Sequence, residues 1–346
     1  MHVRDQIRTG MELRNKTTME IGPLYRPFVL KSEGDVIYVD HADTDTLRKK
    51  YASDPTFDVS GIVQVDAVWG DQTLLECLGG RRVDYVIASH VIEHVPNLIA
   101  WLQELSLVLN HGGEIRLVIP DKRFTFDIAR RLTVFSDIID AYIRKARRPL
   151  PLCVFDFVSS ARYVDVHEAW RTKLDIDSLP HYHTYDSALR IAKDALETQN
   201  YHDVHCWVFT PCSFARLMRE AAQHGLLELE CSQYTDTPCN SLEFTVYMRS
   251  SANKDAIIES WRKMETSLSD PPAVGTPPEH DAASATVALE KELNDLLERE
   301  RELRDALKRA QSLVEAYSLS ASWRLTRPLR ALMRAMRRWK QNDATT

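Results

Sequence analysis

The stretch Val83–Asp121 constrains the fold of this chain more than any other. It reads as strand, helix, turn and strand. Tyr85–Ala88 is a short apolar run of the kind that forms a strand buried on both faces. From Asn97 onward, Leu98, Trp101, Leu102, Leu105 and Leu109 recur at helical spacing, which predicts a helix with one face on a sheet. His111-Gly112-Gly113 is expected to end that helix, and Glu114–Ile119 to form a second strand stopped by Pro120. Two buried parallel strands joined by a helix make a right-handed βαβ unit. In such sheets ligands bind at the carboxyl ends of the strands, here Ser89-His90 and Pro120-Asp121.

The rest of the chain is built to match. Its 346 residues suffice for one good core plus an appendage, and 44% hydrophobic with 27% charged residues is ordinary for a globular protein. Six cysteines without a C-x-x-C pair argue against a disulfide framework or zinc ribbon and point to a reducing, cytoplasmic setting. The first residues lack the apolar core of a signal peptide, and no apolar run reaches membrane-spanning length.

Ahead of the central unit, Thr17–Ile21 reads as a strand ending in Glu20-Ile21-Gly22, and Val36–Val39 as a second ending in Asp40. That spacing suits a nucleoside: glycine admits the ligand to the backbone, and the acid accepts from ribose hydroxyls. The loop after Gly22 has no G-x-G-x-x-G, so it offers no cradle for a pyrophosphate. Gly61–Val65 is expected to be the third strand, ending at Asp66, with Thr73–Leu78 helical after it.

Strand, S-H-V-I-E-H-V-P, amphipathic helix, G-G, strand and P-D together resemble the second half of a class I S-adenosylmethionine-dependent methyltransferase. The resemblance covers residues 1–250 and implies an α/β, Rossmann-like, seven-stranded sheet whose last strand is antiparallel. It implies S-adenosyl-L-methionine as cofactor, with Glu20 and Gly22 in the first cofactor loop and Asp40 on the ribose. Asp66 and Ala67 would lie beside the adenine, and Ser89 and His90 at the reactive end. The sequence departs from that pattern in having only Gly22 where the family has several glycines.

Residues 121–205 form a long insertion at the carboxyl edge of the sheet, where a substrate lid belongs. Methyl transfer to a hydroxyl requires a proton acceptor, and the candidates are His94 of the Glu93-His94 pair, Asp121 and His205. His205 stands in H-C-W-V-F-T-P-C-S-F, which resembles a segment of methyltransferases from polysaccharide clusters. The spacings in His181-Tyr182-His183 and His202–Cys206 match no established zinc site, so no metal is expected. Thr210-Pro211 opens a further helix ended by Gly225, and Leu226–Cys231 and Leu242–Met248 read as the closing strands.

Past Ser250 the pattern changes. Residues 267–285 are a polar, proline-rich linker. Residues 286–317 carry a heptad-like series (Leu289, Leu293, Leu296, Leu303, Leu307, Ala310, Val314), which predicts a coiled coil and a homo-oligomer. Residues 318–340 end in a basic amphipathic helix: between Trp323 and Lys340 there are seven basic residues and no acid. The motif S-x-S-W-R-L-T-x-P-L-R resembles the tails of bacterial cell-surface polysaccharide enzymes. That likeness implies a glycan or glycolipid substrate, and an anionic membrane surface at the inner face of the cell membrane or a glycan-assembly enzyme as partner. Nucleic acid is not expected, because the net charge is −6 and no basic channel is evident. Two rival readings are a non-catalytic Rossmann-like scaffold and a methyltransferase acting on a small molecule or nucleic acid.

Overall fold

The computed structural model describes residues 3–54, 57–70 and 72–268. The coiled coil expected over 286–317 and the basic helix over 318–340 lie outside them, as does nearly all of the linker.

Seven strands form one sheet: β1 (Thr17–Ile21), β2 (Asp35–Asp40), β3 (Ala67–Val68), β4 (Val83–Ser89), β5 (Leu109–Pro120), β6 (Leu229–Thr235) and β7 (Glu243–Ser250). Their order is β3-β2-β1-β4-β5-β7-β6. The first five are parallel, while β7 runs antiparallel to both β5 and β6. This is the sheet expected of a class I methyltransferase fold. Ten α-helices are described: α1 (Val3–Arg8), α2 (Thr44–Tyr51), α3 (Leu74–Cys77), α4 (Leu98–Val108), α5 (Phe135–Ile143), α6 (Pro151–Ser160), α7 (Val166–Arg171), α8 (Tyr185–Thr198), α9 (Pro211–Gln223) and α10 (Lys254–Ser267).

Each central strand is buried on both faces, so alternate residues enter different cores. Met19, Ile21, Ile37 and Val39 face the main core with α4 and α9, whereas Tyr38, Ile87 and Val118 face a second cluster beneath Phe28 and Val29. Asn97 caps α4 by accepting from the Ala100 amide at 3.2 Å. Thr210 and Ser213 cap α9 reciprocally, with Pro211 in its first turn.

Three expectations need correction. His111-Gly112-Gly113 does not end α4, which stops at Val108; those residues form an irregular start to β5, where the register against β4 jumps between Val83 and Tyr85. A Cβ on Gly113 would sit 3.0 Å from the Asp84 carbonyl oxygen, so glycine here permits a close strand approach. Residues 61–65 are not the third strand. Ile62 and Val65 fill a small cluster against Leu47, and pairing to β2 begins only at Ala67, opposite Val39. The folded unit also continues beyond Ser250. In α10, Ile257, Trp261 and Met264 are buried, and Trp261 Nε1 donates to the Leu229 carbonyl at 2.8 Å.

Candidate active site

The sheet order reverses direction between β1 and β4, and the carboxyl ends of those strands define the edge where a ligand would sit. Gly22 follows β1 with φ +68°, and its amide donates to the Val39 carbonyl at 2.9 Å. A Cβ there would meet Val91 Cγ2 at 3.2 Å, so the loops after β1 and β4 touch across the switch point. Asp40 ends β2, nearly buried. Its Oδ1 accepts from the His41 amide at 2.7 Å, and Oδ2 has no hydrogen-bond partner among the described residues.

Glu20 takes a different part from the one expected. Its carboxylate is buried below the edge and accepts from the amides of Phe28 at 2.7 Å and Val29 at 3.2 Å. It therefore clamps the loop that follows β1 instead of facing a ligand. Burial pushes its pKa up from 4.5 to about 7, against the two backbone hydrogen bonds. Asp66 is also displaced. It lies before β3, its Oδ2 accepts from the Tyr38 amide at 2.9 Å, and it pairs with Lys31. The carboxyl end of β3 is instead Val68-Trp69, where the Trp69 amide donates to the Asp40 carbonyl at 2.8 Å. Ala67 enters the strand itself.

At the end of β4, Ser89 is half-buried and His90 adopts φ +53°, an uncommon conformation for a side-chain-bearing residue. His90 Nε2 lies 2.5 Å from Glu243 Oε2, and Nδ1 lies 3.5 Å from Glu93 Oε1. Burial disfavours the charged ring, but the two carboxylates prevail and raise its pKa.

The insertion then delivers the other half of the site. The amides of Cys206 and Trp207 both donate to the Glu93 carbonyl, at 2.6 and 3.2 Å, and Trp207 Nε1 donates to the Val95 carbonyl at 2.6 Å. This docking lays the segment 203–207 across the Glu93-His94 turn. His94 and His205 consequently meet edge to face, with ring centroids 4.6 Å apart. Each has its own carboxylate: His94 Nδ1 is 2.9 Å from Asp203 Oδ1, and His205 Nδ1 is 2.5 Å from Asp127 Oδ2. Asp203 in turn pairs with Lys50, and Asp127 with Arg130. Burial opposes charge on His94, yet Asp203 and Glu93 raise its pKa, while the adjacent His94 ring holds Asp203 low. His205 is buried among Phe126 and Phe157, whereas the His94 side chain keeps 31% of its surface exposed.

Two of the three expected catalytic residues are thus brought together, and the third is not. Asp121 is fully buried and committed to Arg123, with the Thr237 hydroxyl also donating to it at 2.7 Å. Among the described residues both its oxygens accept from Arg123, Oδ2 also from Thr237, and it caps the turn Lys122–Phe124.

Asp127, Asp203 and Glu243, which pair with His205, His94 and His90, are not announced by any motif in the sequence. The first two lie in stretches already conspicuous for other reasons, D-K-R-F-T-F-D and H-D-V-H-C, but nothing local says that each supports an imidazole. Nor did the spacing within His202–Cys206 disclose that Glu93, His94 and His205 place ligand-type atoms within 4.8 Å of one another. Two cavities lie elsewhere. One of about 520 Å³ is lined by Cys231, Tyr234, Glu259 and Lys263, and one of about 300 Å³ by Lys31, Asp66, Cys77 and Arg81.

No protein-family model matches the chain, and no curated protein does. Solved structures similar to it include a Rhodobacter sphaeroides protein described as a Zn-dependent alcohol dehydrogenase, at 11% identity and TM-score 0.38, over 71% of this chain and 88% of that one. The mitomycin 7-O-methyltransferase MmcR is similar at 10% identity and TM-score 0.33, over 72% of this chain and 53% of that one. The CcbJ methyltransferase of Streptomyces caelestis is similar at 11% identity and TM-score 0.33, over 68% and 89%.

Proposed function

We propose that the chain is an S-adenosylmethionine-dependent methyltransferase that methylates a hydroxyl of a surface-glycan precursor. The observation that carries this reading is the meeting, at one switch-point edge, of a nucleoside-type pair and a proton-accepting cluster. The pair is Gly22 and Asp40 Oδ2; the cluster is His94 and His205, each backed by a carboxylate.

A sulfonium methyl group needs no further activation, so the protein's work is to position the acceptor and take its proton. The acceptor oxygen forms a bond to the methyl carbon as the carbon–sulfur bond breaks, and the sulfur leaves as a neutral thioether. The hydroxyl proton passes to an imidazole. His94 suits this role because its ring is partly exposed and Asp203 makes it a stronger base. Asp127, itself held by Arg130, fixes His205 beside it.

Two features support a sugar acceptor. Tyr163 and Tyr182 stack at 3.7 Å and, with Tyr185, expose aromatic surface on the insertion, which suits the apolar faces of sugar rings. The tail motif resembles those of polysaccharide enzymes. A coiled-coil oligomer held at an anionic membrane surface by residues 318–340 completes the reading. The scaffold alternative is favoured by one observation, the closure of Val91 onto the single glycine of the first loop.

The test is transfer of a labelled methyl group to lipopolysaccharide and polysaccharide fractions, with RNA as control. Labelling of a glycan fraction that falls about 10²–10⁴-fold in His94→Ala, with cofactor binding retained, is the expected result. Labelling of RNA alone, or undiminished transfer in the variant, would contradict it.

A further inference from the structure

The Glu93 carboxylate poses a problem that methyl transfer does not explain. The side chain is completely buried, and neither Oε1 nor Oε2 has a hydrogen-bond partner among the described residues. Buried carboxylates are ordinarily paired, hydrogen-bonded or bound to a cation. Here the groups facing it are ring nitrogens held at a distance: His205 Nε2 at 3.9 Å, His94 Nε2 at 4.0 Å and His90 Nδ1 at 3.5 Å. The nearby cations are engaged elsewhere, Arg130 with Asp127 and Asp156, and Lys50 with Asp203.

The outer partners of the imidazoles follow the pattern of metal-binding histidines. His94 and His205 each direct Nδ1 at a carboxylate, Asp203 and Asp127 respectively, which leaves each Nε2 turned toward Glu93. For His205, whose Nδ1 hydrogen-bonds Asp127, this fixes the tautomer that offers a lone pair on Nε2; His94 Nδ1 lies 2.9 Å from Asp203 Oδ1 but outside hydrogen-bond geometry, so charge alone orients that ring. The turn bearing Glu93 and His94 is also tied to the segment bearing His205 by the Cys206 and Trp207 amides. The three donors are therefore held together by backbone as well as by side chains.

We infer that Glu93, His94 and His205 bind a divalent cation of the zinc class, with the remaining coordination position open on the exposed side of His94. Two imidazoles and one carboxylate, with no thiolate donor, select borderline ions such as Zn²⁺ or Co²⁺ over Mg²⁺ and Ca²⁺. Around such an ion, with bonds of ~2.0–2.1 Å, neighbouring donors stand about 3.3 Å apart, so the 3.9 and 4.0 Å edges, and the third edge within the 4.8 Å that spans the set, all shorten on binding. Three protein ligands and an open position make a site that can take an oxygen ligand. The inference does not rest on the methyltransferase reading; an ion on His94 Nε2 would take the lone pair that reading gives to the acceptor proton, so the two are alternatives at this ring, and the test reads metal, not turnover.

The experiment is elemental analysis of the full-length protein after equilibration with Zn²⁺ and exhaustive dialysis, combined with thermal unfolding with and without the ion. The variants are Glu93→Gln and His94→Ala, the second chosen because its partly exposed ring is the one least needed for folding. One equivalent of zinc in the wild type, at least a tenfold loss in both variants, and a zinc-dependent rise in Tm confined to the wild type are expected. Substitution with Co²⁺ should give the visible absorption of a four-coordinate site. Zinc content that is substoichiometric, or unchanged in folded His94→Ala, would overturn the proposal. So would a wild-type Tm indifferent to zinc, because the carboxylate would then be balanced by protonated imidazoles alone.

Discussion

Glu20 shows how far a residue's role can move while its identity stays suggestive. An acid ahead of Gly22 at a strand end invites a ligand role, yet this carboxylate holds the Phe28 and Val29 amides from inside the fold. Nothing in the local sequence distinguishes the two, because the side chain's direction depends on which sheet face its strand register assigns to it. The consequence is measurable. With a folded pKa near 7 against 4.5, the native state holds the Glu20 proton more tightly than the unfolded chain. This contribution to stability is complete below about pH 4.5 and is lost as pH rises toward 7, on the order of 3 kcal/mol. Urea unfolding at pH 5, 6 and 7.5 should show that decline in the wild type and a flatter profile in Glu20→Gln. Parallel profiles would mean that Glu20 is ionised throughout. Gly22 was expected to admit a ligand to the backbone; the structure gives it a local reason, a φ of +68° and a Val91 Cγ2 that would stand 3.2 Å from any Cβ. Gly22→Val should cost about 1–3 kcal/mol, seen as a lower urea midpoint.

At the scale of elements, strands buried on both faces were readable because they are uninterrupted apolar runs. β3 was not. Its pairing region is two residues long, whereas the more apolar run at 61–65 serves a satellite cluster under α2. Likewise His111-Gly112-Gly113 has the composition of a helix terminator but works as an irregular entry to β5, a distinction set by pairing with β4 rather than by composition. α10 lies past the boundary expected at Ser250: Ile257, Trp261 and Met264 carry helical spacing, but a single turn-spaced stripe in a polar segment does not say which surface it packs on. Trp261 is fully buried against Phe214, with ring centroids 5.9 Å apart. Trp261→Ala should therefore lower stability by about 3–5 kcal/mol in chemical denaturation. A loss under 1 kcal/mol would show that α10 is only loosely attached.

Across the whole molecule, local patterns made the central βαβ unit legible, while the seven-stranded sheet with its antiparallel last strand came from the family resemblance and the strand order from the structure alone. The site was legible in part. His94 and His205 were separable candidates, but their meeting depends on the long excursion over residues 121–205, whose return segment docks on Glu93 by backbone hydrogen bonds that no sequence pattern announces. The appended region makes its own prediction. If residues 318–340 lie on anionic lipid, the full-length protein should co-sediment with phosphatidylglycerol vesicles at low salt and be released as salt rises, while neutral vesicles leave it in solution. Equal binding to both would remove electrostatics from the account.

The most direct test of the central claim is calorimetric titration of the full-length protein with S-adenosylmethionine, repeated with Asp40→Ala. Placement of the ribose on Asp40 Oδ2 predicts micromolar binding by the wild type, weakened about 10–100-fold in the variant, as loss of a hydrogen bond to a charged group requires. Folded wild-type protein that neither takes up the cofactor nor gains thermal stability from it would contradict the methyltransferase account and favour the scaffold.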